Sequence, residues 1–103
     1  MTAPLFVWLG KGLCTLTPEN DQYRAGHRGA IVVFACRAKD IVDCCRQVAG
    51  EFAEHQLILN GFEYLIDQEH IDREISTYER ELIDQLGSYP VQFKNVHYFK
   101  ADA

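Results

Sequence analysis

The run Gly29–Ala38, GAIVVFACRA, constrains the fold of this chain more than any other stretch. Ile31, Val32, Val33 and Phe34 are β-branched or aromatic residues, which favour a β-strand. Both alternating sets of side chains are apolar, whereas a strand with one solvent-exposed face alternates apolar with polar residues. The run therefore predicts a central strand that is covered on both faces and leads directly into a helix.

The length of 103 residues suits one core, and we expect residues 1–103 to form a single domain. No apolar stretch reaches the roughly 18 residues of a membrane span, so we expect no membrane partner. The N-terminal segment lacks the basic and long apolar regions of a signal peptide, which favours a cytoplasmic location. We interpret the four cysteines, which form no CxxC pair, as reduced core residues: Cys14, Cys36, Cys44 and Cys45.

The formal net charge is −5, and it is concentrated in one segment. Residues 67–84 contain seven acidic and two basic side chains, so this segment alone carries −5. The chain has no Lys/Arg cluster that would neutralise phosphates, which argues against a nucleic-acid partner.

The hydrophobic periodicity predicts the other elements of the fold. Leu5–Leu16 is predicted to form one strand, or two short strands separated at the GKG sequence. Lys39–His55 has the apolar stripe of a helix with Asp40 as its N-cap, and Asp67–Gly87 has the stripe of a second helix. Val91–Lys100 alternates as a last strand.

Gln56–Ile66, QLILNGFEYLI, is compatible with two structures. Either Asn60-Gly61 is the turn of a tight hairpin, or one longer strand carries a bulge at Gly61. We favour the hairpin, because Asn-Gly supplies the positive φ angles of a type I′ turn.

From the central strand onward, the predicted order is β-α-β(-β)-α-β, the order of a ferredoxin-like split βαβ unit. We therefore expect an α+β, two-layer sandwich with two helices on one sheet face and an extra N-terminal strand. The other face would then expose apolar residues, and such patches mark interaction sites. We expect a homodimer, since two-fold assemblies are the commonest, with an interface that uses Phe6, Val32, Phe34 and Phe99.

Thr17–Arg28 is the longest polar stretch and a predicted surface loop. Loops on a rigid scaffold often carry function, which makes Arg24, His27 and Arg28 candidates, although a solvated connection between strands is the simpler interpretation. His70 lies among acidic residues, but their spacing matches no recognised ligand set, so no metal site is predicted.

The sequence contains no nucleophile motif or phosphate loop, so we assign no catalytic residue and no cofactor. The expected function is a non-catalytic, self-associating binding or interaction module. A pocket between sheet and helices, or at a dimer seam, would take a small apolar or cationic molecule, because aromatic walls and acidic charge suit a cation. The candidate ligand-binding residues are Trp8, Tyr64, His97 and Tyr98.

Two alternatives belong to other classes of protein. One is a small dimeric ferredoxin-like enzyme with a cavity between sheet and helices, where His97 would be the acid or base because histidine titrates near neutrality. The other is an acidic regulatory or immunity-like protein that presents residues 67–84 to a basic partner through Glu74, Glu81 and Asp84. Ligand-induced thermal shifts and salt-sensitive capture of a basic protein distinguish these classes.

Overall fold

The computed structural model describes residues 4–87 and 89–100. Within these residues the chain forms a small α+β domain with a five-stranded antiparallel sheet and three α-helices. No helix in this described part is long and apolar enough to cross a membrane. The elements in chain order are β1 (Phe6–Leu16), α1 (Asp21–Arg24), β2 (His27–Ala38), α2 (Ile41–Glu54), β3 (Leu57–Asp67), a 3₁₀ turn (Gln68–His70), α3 (Thr77–Asp84), β4 (Val91–Gln92) and β5 (Val96–Lys100).

The first strand of the chain lies inside the sheet. β1 pairs with β2 on one side and with β3 on the other, and the outer edge of β2 pairs with β4 and β5. The sequence predicted this strand only as an addition to a ferredoxin-like unit, whereas it lies between β3 and β2. Because the order is β3-β1-β2 followed by β4 and β5, the ferredoxin-like order is not confirmed.

The two sets of β2 side chains face different helices. Val32 and Phe34 pack with Phe52 of α2, and we call this side of the sheet the α2 face. Ala35 packs with Leu82 of α3 on the opposite side, the α3 face. The prediction of two covered faces is confirmed for the part of β2 that α3 reaches, but the placement of both helices on one face is wrong. A strand with two apolar sides needs a cover on each side, and each helix supplies one.

The two glycines of β1 make room for aromatic rings on the α2 face. A Cβ atom on Gly10 would collide with the ring of Phe34, and one on Gly12 would lie 3.0 Å from the ring of Phe52. The GKG sequence therefore does not divide the strand, and β1 is a single strand of 11 residues.

The second helix is much shorter than its predicted range, Asp67–Gly87. The chain forms the 3₁₀ turn, then residues 71–76 without regular structure, and then α3. Asp67 caps the 3₁₀ turn, whereas Ser76 forms a capping box with Glu79 that begins α3. A second N-terminus inside the range ends any continuous helix, although the apolar residues before it still pack on the α3 face.

The hairpin predicted at Asn60-Gly61 is absent, because β3 runs as one strand through both residues. Its register with β1 shifts between Lys11 and Gly12 and between Leu13 and Cys14, as β-bulges produce. Pairing along the whole of β1 satisfies more backbone groups than a two-residue turn would. The predicted strand Val91–Lys100 is interrupted and forms β4 and β5.

Candidate ligand cleft and open sheet face

α3 has eight residues and covers only one end of the α3 face. Beyond that end, the strand register defines two cross-strand rows of residues on the same face. In the first row, Leu13 lies opposite Ile31 and Ile31 lies opposite His97. The second row consists of Ile58, Thr15, Gly29 and Phe99.

Four apolar side chains of these rows, Leu13, Ile31, Ile58 and Phe99, form a surface that we call the open face. Leu13 is 40% exposed, Ile58 is 51% exposed and Phe99 is 43% exposed, whereas Ile31 is half-buried. The ring of Phe99 lies against Gly29, where any Cβ atom would collide with it. Directly opposite residues on neighbouring strands are about 5 Å apart, so Leu13 adjoins Ile31. In the second row the exposed Thr15 stands between Ile58 and the ring of Phe99.

A cleft of about 570 Å³ lies beside the open face. The half-buried side chains of Ile31 and Val33 supply its apolar floor. Four other lining residues carry polar side chains, and a further apolar residue, Val96, completes the lining. The polar lining residues come from β1, α3, the β4–β5 connection and β5: Lys11, Tyr78, Asn95 and His97.

Two of these polar side chains have polar contacts within the chain. The hydroxyl oxygen of Tyr78 accepts hydrogen bonds from the backbone N–H groups of Lys94 at 3.2 Å and Asn95 at 3.1 Å. The ammonium group of Lys11 forms an ion pair with the carboxylate of Glu63 at 2.7 Å. Tyr78 thereby connects α3 to the β4–β5 connection at the edge of the cleft.

The four predicted ligand-binding residues do not come together. His97 lines the cleft on the α3 face. Trp8 lies on the α2 side, where its indole N–H donates to the carbonyl of Ala38 at 3.3 Å. The hydroxyl of Tyr64 lies 3.4 Å from Glu79, and Tyr98 packs on the α2 side against His27.

Trp8 lines a separate pocket of about 320 Å³ together with Phe6 and three carboxylate residues. One of them, Asp67, already contacts His70 at 2.7 Å, and this hydrogen bond raises the pKa of His70. Among residues 4–87 and 89–100, no group of three or more His, Cys, Asp or Glu side chains is arranged to hold a metal ion.

The predicted loop candidates have structural contacts. The guanidinium of Arg28 lies 3.7 Å from the centre of the Tyr23 ring and donates to the carbonyls of Tyr23 and His27 at 2.8 and 2.9 Å. Arg28 therefore holds α1 against the start of β2. None of the three lies in a loop as predicted: Arg24 is the exposed last residue of α1, and His27 and Arg28 begin β2.

The predicted interface residues divide into two groups. Val32 and Phe34 have no exposed surface, because α2 covers the set of β2 side chains to which they belong. They are core residues. The alternate side chains of β2, which include the half-buried Ile31, lie on the opposite face of the sheet. Phe6 is exposed near the pocket of Trp8, and Phe99 alone belongs to the open face.

The acidic segment is only partly available to a basic partner. Glu79 is buried and accepts two hydrogen bonds from Arg73, each of 2.8 Å. Glu81 forms an ion pair with Lys94 at 2.9 Å, whereas Glu74 and Asp84 are exposed.

Three of the four cysteines are buried core residues, as the sequence predicts: Cys14, Cys36 and Cys44. Burial raises the pKa of Cys14 to about 11, and the hydrogen bond with Cys36 is the main cause of a raised pKa at Cys44. A raised pKa leaves little of the reactive thiolate at neutral pH.

Sequence reasoning missed Lys11, Tyr78 and Asn95 as site residues. The alternation along β1 placed Lys11 on the same side as Leu13, which was an available signal. Nothing in the sequence indicated that Tyr78 and Asn95 would meet Lys11. In comparisons with protein-family models, curated proteins and solved structures, the chain has no significant match.

Proposed function

We propose that this protein is a non-catalytic interaction module that associates with a second copy of itself through the open face. The observation that supports the proposal is the exposure of Leu13, Ile58 and Phe99 on one face of the sheet around Ile31. Soluble proteins that expose contiguous apolar patches commonly use them for interactions.

Charge favours a second copy as the occupant of this face. Each chain carries a net charge of −5, so two copies repel one another wherever acidic surfaces meet. The four side chains of the open face are uncharged, and a two-fold interface places the same residues of both copies together. A basic partner would find its complementary charges elsewhere, at Glu74 and Asp84.

Contact between sheet faces is favoured over pairing of sheet edges. The bulges of β3 disturb one edge, and bulges discourage the addition of another strand. On the other edge, β5 has five residues and ends at Lys100, and short, charged strands also resist pairing.

The size of the face predicts weak association. Four strands about 4.8 Å apart and three residues that rise ~3.3 Å each span roughly 15 by 10 Å. The projected area, roughly 150 Å², is small beside the ~800 Å² that each partner buries in a typical stable complex. We therefore expect a dimer that forms with increasing concentration rather than a permanent one.

Two carboxyl groups have a lowered pKa, and both have a structural role, which supports a non-catalytic function. A hydrogen bond from the Lys39 backbone N–H is the main cause that lowers the pKa of Asp43, and Arg73 lowers that of Glu79. Both carboxylates lie at the start of a helix and hold it in place. The alternative enzyme would depend on His97, which lines the cleft.

Solution mass measured by light scattering after size exclusion tests this proposal at a low and a high protein concentration. We expect the wild-type mass to rise from 11.8 kDa toward twice that value. Leu13→Lys and Ile58→Lys should stay at the mass of one chain, because like charges would meet across the two-fold axis.

Val42→Lys is the matched control, since Val42 is 74% exposed on α2, away from the open face. It should behave as the wild type does, and circular dichroism should show that all variants keep their fold. A wild-type mass of one chain at both concentrations, or association unchanged by Leu13→Lys and Ile58→Lys, would contradict the proposal.

A further inference from the structure

The cleft between α3 and β5 combines an apolar floor with polar side chains that donate hydrogen bonds. We propose that it binds a small amphipathic carboxylate, whose apolar chain lies on Ile31 and Val33 and whose carboxylate reaches Lys11 and Tyr78. The volume of about 570 Å³ falls within the ~300–1,000 Å³ of small-molecule sites. This inference goes beyond the proposed self-association, because one chain supplies all the lining residues.

Tyr78 determines whether the ligand group beside it has to donate or to accept a hydrogen bond. Its hydroxyl oxygen already accepts two backbone hydrogen bonds, from Lys94 and Asn95. A hydroxyl has two acceptor positions and one donor, so the remaining capacity of Tyr78 is its O–H donor. A ligand group at this position must therefore accept a hydrogen bond, as a carboxylate oxygen does.

Lys11 supplies the positive charge. Its ammonium group is paired with Glu63 at 2.7 Å, and both side chains are in contact with solvent. Ion pairs of this kind contribute only about 0–1 kcal/mol, so a change of partner costs little. An ammonium group also has three donors, so Lys11 can contact Glu63 and a ligand at the same time.

The lining disfavours the cationic ligand that the sequence suggested. Among the described residues that line the cleft, none is acidic and one is a lysine. The carboxylate of Glu63 pairs with Lys11 but does not line the cleft, so a cation here would face the ammonium of Lys11 and the hydroxyl donor of Tyr78 with no acidic group in the lining.

Three probes with one chain length test the inference: octanoate, octanol and octylammonium, measured by isothermal titration calorimetry. We expect octanoate to bind at least ~10-fold more tightly than octanol, which corresponds to about 1.4 kcal/mol, and octylammonium to bind most weakly. Backbone amide shifts should change for Lys11, Ile31, Val33 and His97.

Two variants identify the groups that recognise the carboxylate. Lys11→Gln should weaken octanoate binding by about 10-fold and leave octanol binding unchanged, because octanol carries no charge. Tyr78→Phe should weaken octanoate binding by about 10-fold and octanol binding less, because an uncharged alcohol oxygen is the weaker acceptor. Lys39→Gln is the matched control, because Lys39 is an exposed lysine outside the cleft. Equal affinity for the three probes, no binding, or amide shifts centred on the pocket of Trp8 would overturn the inference.

The Ile58→Lys variant separates this inference from the proposed self-association. Ile58 belongs to the open face but does not line the cleft, so a monomeric Ile58→Lys protein should bind octanoate as the wild type does. Binding that is lost in this variant would show that one chain is not sufficient. Octanoate binding by a wild-type protein that stays monomeric would contradict only the self-association.

Discussion

Glu79 is a carboxylate with almost no solvent contact that nevertheless stays charged. It accepts two hydrogen bonds of 2.8 Å from Arg73 and one of 3.0 Å from the backbone N–H of Ser76, and Tyr64 lies 3.4 Å away. Arg73 is the main cause that lowers the pKa of Glu79 to about 2. These contacts attach the irregular segment before α3 to the helix and to β3.

The lowered pKa predicts a loss of stability in acid. The pKa is about 2 in the folded chain, against an ordinary value of 4.5, so the contribution is complete above about pH 4.5 and is lost as the pH falls toward 2. Glu79→Gln should lower the free energy of unfolding by about 2 kcal/mol at pH 7, less than the full pKa difference implies because Arg73 is half-exposed.

Urea unfolding at a series of pH values checks this prediction. The difference between the wild type and Glu79→Gln should shrink as the pH falls below 4.5. Glu74→Gln, which changes an exposed carboxylate of the same segment, should keep the wild-type pH dependence. A constant difference between pH 7 and pH 3 would contradict the assignment of the shift to Glu79.

For single residues, the sequence predicted which side chains of one strand share a face. It predicted less well which side chains of different elements come into contact. The predicted alternation of the last strand is present in β5, where His97 and Phe99 lie on the α3 face and Tyr98 packs on the α2 face. The cleft was not predictable in the same way, because Lys11 and Tyr78 lie on elements far apart in the chain. Their approach depends on where α3 packs, and periodicity gives no information about that.

At the scale of elements, α3 depends on its first turn. The side chain of Ser76 accepts a hydrogen bond from the Glu79 backbone N–H at 3.1 Å, and the Glu79 carboxylate accepts one from the Ser76 N–H. A helix of eight residues is too short to be stable alone, so this cap and the packing of Leu82 have to hold it.

Ser76→Ala should therefore lower the free energy of unfolding by about 1 kcal/mol. Hydrogen exchange should accelerate more at the amides of α3 than at those of α2, which has its own cap at Asp40. Thr77→Ala changes the following residue, which is exposed, and should lower the free energy of unfolding less than Ser76→Ala does. Equal acceleration in both helices would show that Ser76 does not act through the α3 cap.

The same element explains an error of the sequence prediction. The apolar stripe of Asp67–Gly87 correctly identified the residues that pack on the α3 face, such as Ile75. The Ser76-x-x-Glu79 signature of a helix start lies inside that stripe and was the available signal for a shorter helix. The start of α2 was easier to predict, because its N-cap, Asp40, comes immediately before the apolar stripe. The predicted start of this helix is confirmed.

At the scale of the whole molecule, the core on the α2 face contains three thiols that report unfolding. Cys14, Cys36 and Cys44 are buried, whereas Cys45 is half-buried at the edge of α2. We expect one thiol to react quickly with dithionitrobenzoate and the other three to react only as the domain opens.

Cys45→Ser should remove the fast reaction and leave the slow reaction unchanged. Mild concentrations of urea should accelerate the slow reaction of the three buried thiols together, because they belong to one core. A second fast thiol in the native protein would contradict the packing of α2 on the sheet.

The place of β1 inside the sheet has a consequence during synthesis. A ribosome releases β1 first and β2 next, and the two strands can pair as soon as both have emerged. The other edge of β1 has to wait for β3, and the apolar residues beneath α3 wait longer still. The nascent chain therefore exposes an unpaired edge of β1 and uncovered apolar residues on both faces of the β1–β2 pair until β3 and α3 have emerged. This interval is the time at which a chaperone that binds extended apolar segments would have its largest effect on the yield of folded protein.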